Sequence, residues 1–531
     1  MKNSNNEYHD RLRKLNEIKE KGINPYPAKF ERTYTTEDCI KFGEENDLRD
    51  IKSILKKPTK KLLKISGRLT AFRSHGKISF GNLQDFSGKL QVCFMQDKLG
   101  KDDYKFLKKV DIADFLGLEG ELFETKHGEL TLLVYKYTML SKALMPLPEK
   151  WHGIKGQEHK YRQRYLDLIM NRDTMDRFIF RSNFLKVLRE FYWKEEFIEI
   201  ETPYLENVSG GAVAKPFITH HNALDIDMYL RIAGGELWQK TAIVGGFEKT
   251  FEIARCFRNE GMDPSHLQEF TMVEHYCAFW DAETNMQFTE RMFEHLLMKL
   301  FGKTKVTVKD RDGNDTEVDF KTPWPRKEYT KMIEEDCGID VLKFYGDEVA
   351  LLKEIKKKGI KIEDPENLGY GNLVDSLYKK VSRPKLIQPC FVILHPTDTK
   401  PLARKNDENP RLADTFQVLV NTWEVVNAYG EIVDPIDQRE RFEAQALAKA
   451  KGDEEAMMVN EEYLTTMSHG MPCMSGWGMG IDRMVTLLTG QENLKDLVLF
   501  PIMKPLEEHS KKNKKAQEKA RKLAKKKKSN G

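Results

Sequence analysis

Between Leu63 and about Leu140 the hydrophobic pattern leaves helical spacing and breaks into short alternating runs. They are LLKISGRLTAF, KISFGNLQ, KLQVCF, FLGLEGELF and ELTLLVYKY, punctuated by DFSG and KHG turns. Alternation sends successive side chains to opposite faces, so each run offers one apolar face to a partner. Five such runs in so short a stretch suggest a small β-barrel of the OB type. An unspecialised β-domain fits the same pattern.

The flanks read differently. Residues 5–21 place Tyr8, Leu12, Leu15 and Ile18 at helical spacing, and Gly22 is the stop. NPYPAKF then interrupts regular structure, and PLPEKWHG reads as a linker. Beyond it lies a mixed α/β region to about Pro505, opened by a helix over 174–196 with Phe180, Phe184, Leu188 and Phe191 on one stripe. Strand-like stretches follow at 197–202, 249–258, 269–280 and 415–433. The division expected is a helical extension over 1–60, a barrel over 61–145, a large second domain over 146–505 and a tail over 506–531.

Composition excludes several classes. No uncharged apolar run approaches the roughly 18–20 residues that span a bilayer. MKNSNNEYHD lacks the apolar segment of a secretory leader. The seven cysteines are scattered without a CxxC pair, which argues against a zinc ribbon or disulfide framework and suits a reducing cytoplasm. The net charge is +4, yet the tail from Leu506 alone carries eleven Lys/Arg against three Glu. The body is therefore mildly acidic, and nucleic acid would be met by local patches.

Three segments carry chemistry. FEIARCFRNEGMDPSHLQEFTMVEHYCAF, residues 251–279, describes two strands around a polar loop. Period two puts Phe270, Met272, Glu274 and Tyr276 on one face. Arg258 closes the first strand, and Glu260 and His266 sit in the loop. Such a hairpin could grip a nucleotide, with the arginine fork on a phosphate or carboxylate; a solvated, salt-bridged hairpin reads the same way. SGWGMGIDRMVTLLTG, residues 475–490, sets alternating glycines before an amphipathic helix. It is neither GxGxxG nor a P-loop, and simple turns also use such glycines. NTWEVVNAYGEIVDP, residues 421–435, puts Glu424, Asn427 and Glu431 in a stretch suited to burial. Buried carboxylates need a cation, whether Mg²⁺, a cationic substrate or an ion-pair partner.

FIEIETPYL (197–205), FRNEG…EFT (257–271) and GMGIDR (478–483) resemble, in order, the three motifs of class II aminoacyl-tRNA synthetases. LPEKWHG, KYRQRYLDLI, GGAVAKPFITHHNALDIDMYLRIA, IVGGFEKTFEIARCFRNEG, PKLIQP, DPIDQRERFEAQ and LVLFPIMKP narrow the resemblance to the lysyl-tRNA synthetase family, over about residues 5–505. The resemblance implies an α+β protein: an OB-fold anticodon-binding domain, then a catalytic domain around a six-stranded antiparallel sheet. It implies lysine activation with ATP and Mg²⁺, transfer to tRNA(Lys), a cytoplasmic location, and a homodimer built on motif 1 with Pro203.

Residue by residue, the resemblance gives Arg258 to the substrate carboxylate and α-phosphate. Glu260 and His266 would contact the nucleotide, Phe270 and Arg483 would clamp adenine, and Glu424 would ligate Mg²⁺. Arg258 and Arg483 are its catalytic pair. Glu431 and Tyr276 match the ε-ammonium ligands, Gly211 and Glu236 the α-amino ligands, and Glu274 and Asn427 complete the lysine set. Arg73, Phe80, Gln91 and Glu129 match anticodon-reading positions, although Phe80 also suits a core.

Departures from the family pattern cluster near the chemistry. HNPEF is here HLQEF (266–270), an Ala-Pro-Glu-Leu run is AGGEL (233–237), and SELND is GEIVD (430–434). Gln417 stands where the family usually has a carboxylate that shares Mg²⁺ with Glu424. Residues seven apart on one strand face opposite sides, so shared coordination would require an irregularity there. The rival readings are an enzyme that lysylates a protein or makes dinucleotide polyphosphates, and a non-catalytic RNA-binding protein. The former typically lacks the anticodon domain; the latter would be expected to lose Arg258 or Arg483.

Overall fold

The computed structural model describes residues 2–46, 48, 51–56, 62–148, 156–310, 313–450, 455–507 and 515–518. Most of the lysine-rich tail, and Glu149 to Gly153 of the expected linker, lie outside them. The chain divides into two compact units, Met1–Lys155 and Gly156–Gly531.

In the first unit, helices α1 (Lys2–Glu20), α2 (Thr36–Glu45) and α3 (Ile51–Lys56) precede five strands. Thr35 starts α2 with a reciprocal cap: its hydroxyl accepts from the Asp38 N–H, and the Asp38 carboxylate accepts from the Thr35 N–H. Strands β1 (Leu63–His75), β2 (Ile78–Gln84), β3 (Lys89–Met95), β4 (Phe115–Glu124) and β5 (Leu130–Ser141) close into a barrel in the order β1-β2-β3-β5-β4. Only the β3–β5 pair is parallel. Alternation fills the interior with Ile65, Leu69, Leu83, Val92, Phe94, Leu118 and Leu132. A second apolar cluster joins Ile54 of α3 to Cys93, Phe123 and Leu133.

In the second unit, strands β6 (Ile198–Glu199), β7 (Lys249–Phe257), β8 (Glu269–Ala278), β9 (Arg326–Glu328), β10 (Cys390–Ile393), β11 (Thr415–Val420), β12 (Trp423–Gly430) and β13 (Met474–Gly480) form one sheet. Their order is β9-β10-β11-β12-β13-β8-β7-β6. The six central strands are antiparallel, and β9 and β6 add parallel edges. Three corrections follow. The expected six-stranded sheet has eight strands, and the stretch over 197–202 keeps only two strand residues. The stretch over 415–433 is a hairpin rather than one strand: Asn421 and Thr422 take left-handed φ values of 48° and 66° and reverse the chain. A register shift between Val418 and Leu419 supplies a bulge as well.

One face of this sheet is covered by helices α4 (Arg172–Lys194) and α6 (Ala282–Phe301). Phe184, Leu188, Phe191, Phe288, Met292 and Phe293 pack there against Phe251, Val273, Trp477 and Met479. Odd-numbered residues of β8 and β13 are thereby committed to the core. Even-numbered ones turn to the opposite face, and Phe270, Glu274 and Tyr276 are among them.

Candidate active site

The alternating glycines are a strand feature, not a turn. Residues directly opposite in an antiparallel pair share a face. Gln417 lies opposite Asn427, Asn427 opposite Gly478, and Gly478 opposite Glu274, giving one row across four strands. The neighbouring row runs Tyr429, Gly476, Tyr276, and the next on the other side pairs Gly480 with Met272. Glycine is required in this floor: a Cβ on Gly476 would come within 2.0 Å of Glu431 Oε1 and 2.4 Å of Tyr276 Cε1. The strand saves its side chains for the core, with Trp477 and Met479 beneath, and leaves a shallow trough above.

One end of the trough is acidic and buried. Helix α5 (Glu236–Val244) begins after Gly235, which takes φ 82°. It presents Glu236 and Lys240 one turn apart. The Lys240 ammonium donates to Glu236 Oε1 at 2.7 Å and pairs with Glu431. It also lies 5.6 and 5.7 Å from the Tyr276 and Tyr429 ring centroids. Tyr429 donates its hydroxyl proton to Glu236 at 2.9 Å, and the Gly234 N–H donates to Glu274 Oε1 at 2.7 Å. Gly211, at φ 84°, brings its backbone against Glu236. Three buried carboxylates thus share one ammonium. Burial, reinforced by Glu236, pushes the Glu274 carboxyl up to about 8. Burial likewise raises Glu431, with Lys240 opposing, while burial lowers Lys240 less than Glu236 and Glu431 hold it up. Glu431 Oε1 is buried with no hydrogen-bond partner among the described residues. Among the described residues the pocket is short of positive charge, with one ammonium for three carboxylates.

The other end is cationic and more open. The Arg258 guanidinium lies 5.2 Å from the centroid of the Phe270 ring, and its Nε donates to the Ile232 carbonyl. Arg483 donates to the Glu424 carbonyl at 3.2 Å and to His266 Nε2 at 3.2 Å. Because arginine only donates, Nε2 is the acceptor and Nδ1 carries the proton, which goes to the Asp263 carboxylate at 2.8 Å. Glu260 is half-buried at the loop, its carbonyl accepting from the Gln268 amide. Arg258, His266, Phe270, Glu424 and Arg483 are therefore brought together, and Glu274, Tyr276, Glu236, Gly211 and Glu431 form the acidic group.

The metal expectation fits in part. The Glu424 carboxylate has no hydrogen bond or ion pair among the described residues, as suits a hard-cation ligand. Gln417 does not fit beside it. Its amide oxygen faces His395 Nε2 at 3.2 Å and its amide nitrogen faces Asn427 Oδ1 at 3.5 Å. His395 is kept neutral by burial and by Lys400, so Nε2–H donates to the amide oxygen. Among the described residues no group of three or more His, Cys, Asp or Glu side chains could hold a metal ion.

Sequence reasoning missed Lys240, Tyr429, Asp263, His395 and Lys400. Lys240 had a signal, the i,i+4 spacing from Glu236. Tyr429 stands two residues before Glu431, as a same-face neighbour would. Lys400 had none, being placed by a loop.

In the first unit, register gathers the anticodon candidates. Arg73 is opposite Phe80, Phe80 opposite Cys93, and Gln91 opposite Asn82 and Thr131. All lie on the outer face of the barrel. The Thr131 hydroxyl donates to Gln91 Oε1, and Glu129 sits just before β5. Phe80 is half-buried against the Ile54 cluster, so one edge is core and the rest is available.

Residues 156–504 match the family model of tRNA synthetases class II (D, K and N), and residues 63–140 match that of the OB-fold nucleic acid binding domain. The Lysine--tRNA ligase of Carboxydothermus hydrogenoformans is 44% identical over 93% of this chain and 97% of its own. Those of Thermosipho africanus and Staphylococcus haemolyticus are 42% and 41% identical, covering 93% and 94% of this chain and 96% and 99% of theirs.

Proposed function

The chain belongs to the lysine--tRNA ligases within the class II tRNA synthetases (D, K and N), and from that premise we propose how the two ends of the trough divide the reaction. The acidic end selects L-lysine. Its three carboxylates and one resident ammonium leave two negative charges, which the α- and ε-ammonium groups of lysine balance. The unpartnered Glu431 Oε1 is the observation that carries this reading, since a buried acceptor without a donor is costly and an ammonium guest supplies one.

The cationic end holds ATP. Arg258 meets the lysine carboxylate and the α-phosphate, where charge develops as a carboxylate oxygen attacks phosphorus and pyrophosphate leaves. Phe270 and Arg483 take the adenine between them, and the Asp263–His266 pair keeps Arg483 in place. Glu424 would hold Mg²⁺ together with the phosphates, and the ion would neutralise phosphate charge. The ribose hydroxyl at the tRNA end then attacks the lysyl carbonyl and AMP departs. We infer that the barrel reads the anticodon by stacking on Phe80 and by polar contacts from Arg73, Gln91 and Glu129. The exposed Ile198 at the sheet edge, and the exposed Tyr204 and Leu205 that follow it in the chain, support a homodimer through this segment.

ATP–pyrophosphate exchange with each of the twenty amino acids tests the reading. Exchange with lysine alone is expected; exchange with aspartate or asparagine instead would overturn it. Among the described residues no helix is long and apolar enough to cross a membrane.

A further inference from the structure

We propose that the Lys400 ammonium is a resident cation of the reaction centre, sharing Asn427 with Gln417, the position at which the resemblance would place a second carboxylate for Mg²⁺. The proposal rests on the ATP-dependent reading above and concerns a residue to which nothing else assigns a role.

Placement carries the argument. Lys400 lies in the loop between β10 and β11, after the 3₁₀ turn Thr397–Thr399. Its carbonyl accepts from the Ala403 N–H and from Arg441 Nη1, which fixes the backbone. The side chain reaches over the sheet, and Nζ donates to Asn427 Oδ1 at 3.0 Å. Asn427 is in the row Gln417–Asn427–Gly478–Glu274. That row separates the lysine-selecting row, Tyr429–Gly476–Tyr276, from the row leading towards Phe270. The ammonium therefore sits at the seam of the two subsites, where a carboxylate and an α-phosphate would meet.

Chemistry points the same way. Gln417 brings no charge, and both ends of its amide are turned to His395 and Asn427. Glu424 is thereby the one carboxylate left of the pair that the resemblance expects to share Mg²⁺. Lys400 makes no ion pair within 4.0 Å among the described residues, and the one side-chain partner given to this half-buried ammonium is the Asn427 amide oxygen. A half-buried cation without a carboxylate is a poor structural element and a good receptor for anionic oxygen. Gln417 and Lys400 then form one device: a neutral amide where a carboxylate would draw in a metal, and a fixed ammonium in the metal's stead.

The test counts ions. Mn²⁺ bound per chain is measured by electron paramagnetic resonance with lysine and a non-hydrolysable ATP analogue, for the full-length protein and for a Gln417→Glu/Lys400→Ser double variant. The double variant is expected to bind one Mn²⁺ more. Equal counts would overturn the proposal. In parallel, Lys400→Ser is expected to slow pyrophosphate exchange at least tenfold, with Lys400→Arg restoring part of it and melting temperature unchanged. Exchange by Lys400→Ser equal to the parent at every Mg²⁺ concentration would also overturn it. Absence of exchange by the parent with every amino acid would instead remove the reading on which the proposal stands.

Discussion

The two ends of the trough share one sheet face but are built on opposite principles. The acidic end is buried, internally paired and short of positive charge, so its geometry exists before substrate arrives. The cationic end is half-exposed, and its arginines are held by backbone carbonyls and one histidine rather than by carboxylates. A pocket that must tell lysine from its relatives gains from rigid, desolvated acceptors, because an unmatched guest leaves buried charge uncompensated. A site that must hold ATP and release pyrophosphate gains from donors that are not already neutralised. On the proposed reading, selectivity is concentrated at one end and turnover at the other.

The hardest blow to that contrast is Glu431→Gln. Removing one partner of a buried charge pair costs about 3–5 kcal/mol, so lysine kcat/KM should fall by roughly two to four orders of magnitude. The ATP KM, set at the other end, should move by no more than a few-fold. Pyrophosphate exchange at saturating ATP and at saturating lysine separates the two. Parallel losses would mean that the ends are not independent.

Proton linkage gives the next largest effect. With its carboxyl pushed up to about 8, Glu274 holds a proton in the empty enzyme at neutral pH. Its folded value exceeds the ordinary 4.5, so this group withdraws stability as pH rises from about 4.5 towards 8. An ammonium guest favours the ionised form. Lysine binding should therefore release a proton and strengthen with rising pH, by up to about tenfold per pH unit below 8. The lysine-induced rise in melting temperature should accordingly be larger at pH 8 than at pH 6, and Glu274→Gln should abolish the difference. A shift independent of pH in the parent would place the titration elsewhere.

Lys240→Met should act more mildly, because the carboxylates left behind can take up a proton. Lysine KM is expected to rise about tenfold with ATP KM nearly constant, as one unit of charge mismatch is worth about one decade when partly relieved. Lys240→Arg should recover most of the loss. A lowered lysine KM in Lys240→Met would show that the resident ammonium competes with substrate instead of sharing the site.

Much of this was legible in the sequence, for identifiable reasons. Period-two alternation in 269–278 fixed the face of Phe270, Glu274 and Tyr276, because a buried opposite face leaves no freedom of register. The five short runs before Leu140 likewise sufficed for the barrel. Gln417 and Glu424 were harder. The turn at Asn421–Thr422 carries neither glycine nor proline, so an uninterrupted apolar stretch concealed a hairpin. Lys400 was invisible because its position depends on where a loop of some twenty residues lands, and no local pattern encodes that. The AGGEL departure also became intelligible only in space: the additional glycine exposes an N–H that binds Glu274, and a Cβ on Gly234 would collide with that carboxylate at 2.8 Å.

The smallest expected effect probes the open end by its supporting pair. Asp263 is exposed, yet hydrogen bonds from His266 and Ser265 outweigh desolvation and hold its carboxyl down at about 2. It remains an acceptor throughout the working pH range and keeps the His266 proton on Nδ1, leaving Nε2 free to accept from Arg483. Asp263→Asn keeps the shape but lets the amide nitrogen face the ring, which favours the other tautomer and sets two donors against each other at Arg483. Because water can reach the pair, the penalty is screened, and ATP KM should rise only about three- to fivefold with lysine KM unchanged. His266→Gln, whose carbonyl accepts from Arg483 without a tautomer, should be insensitive to the Asp263 substitution. The double variant therefore decides the matter. If Asp263→Asn weakens ATP binding equally with and without His266, the carboxylate acts on the nucleotide directly. If the effect vanishes, the nucleotide end depends on an exposed relay where the lysine end depends on buried charge.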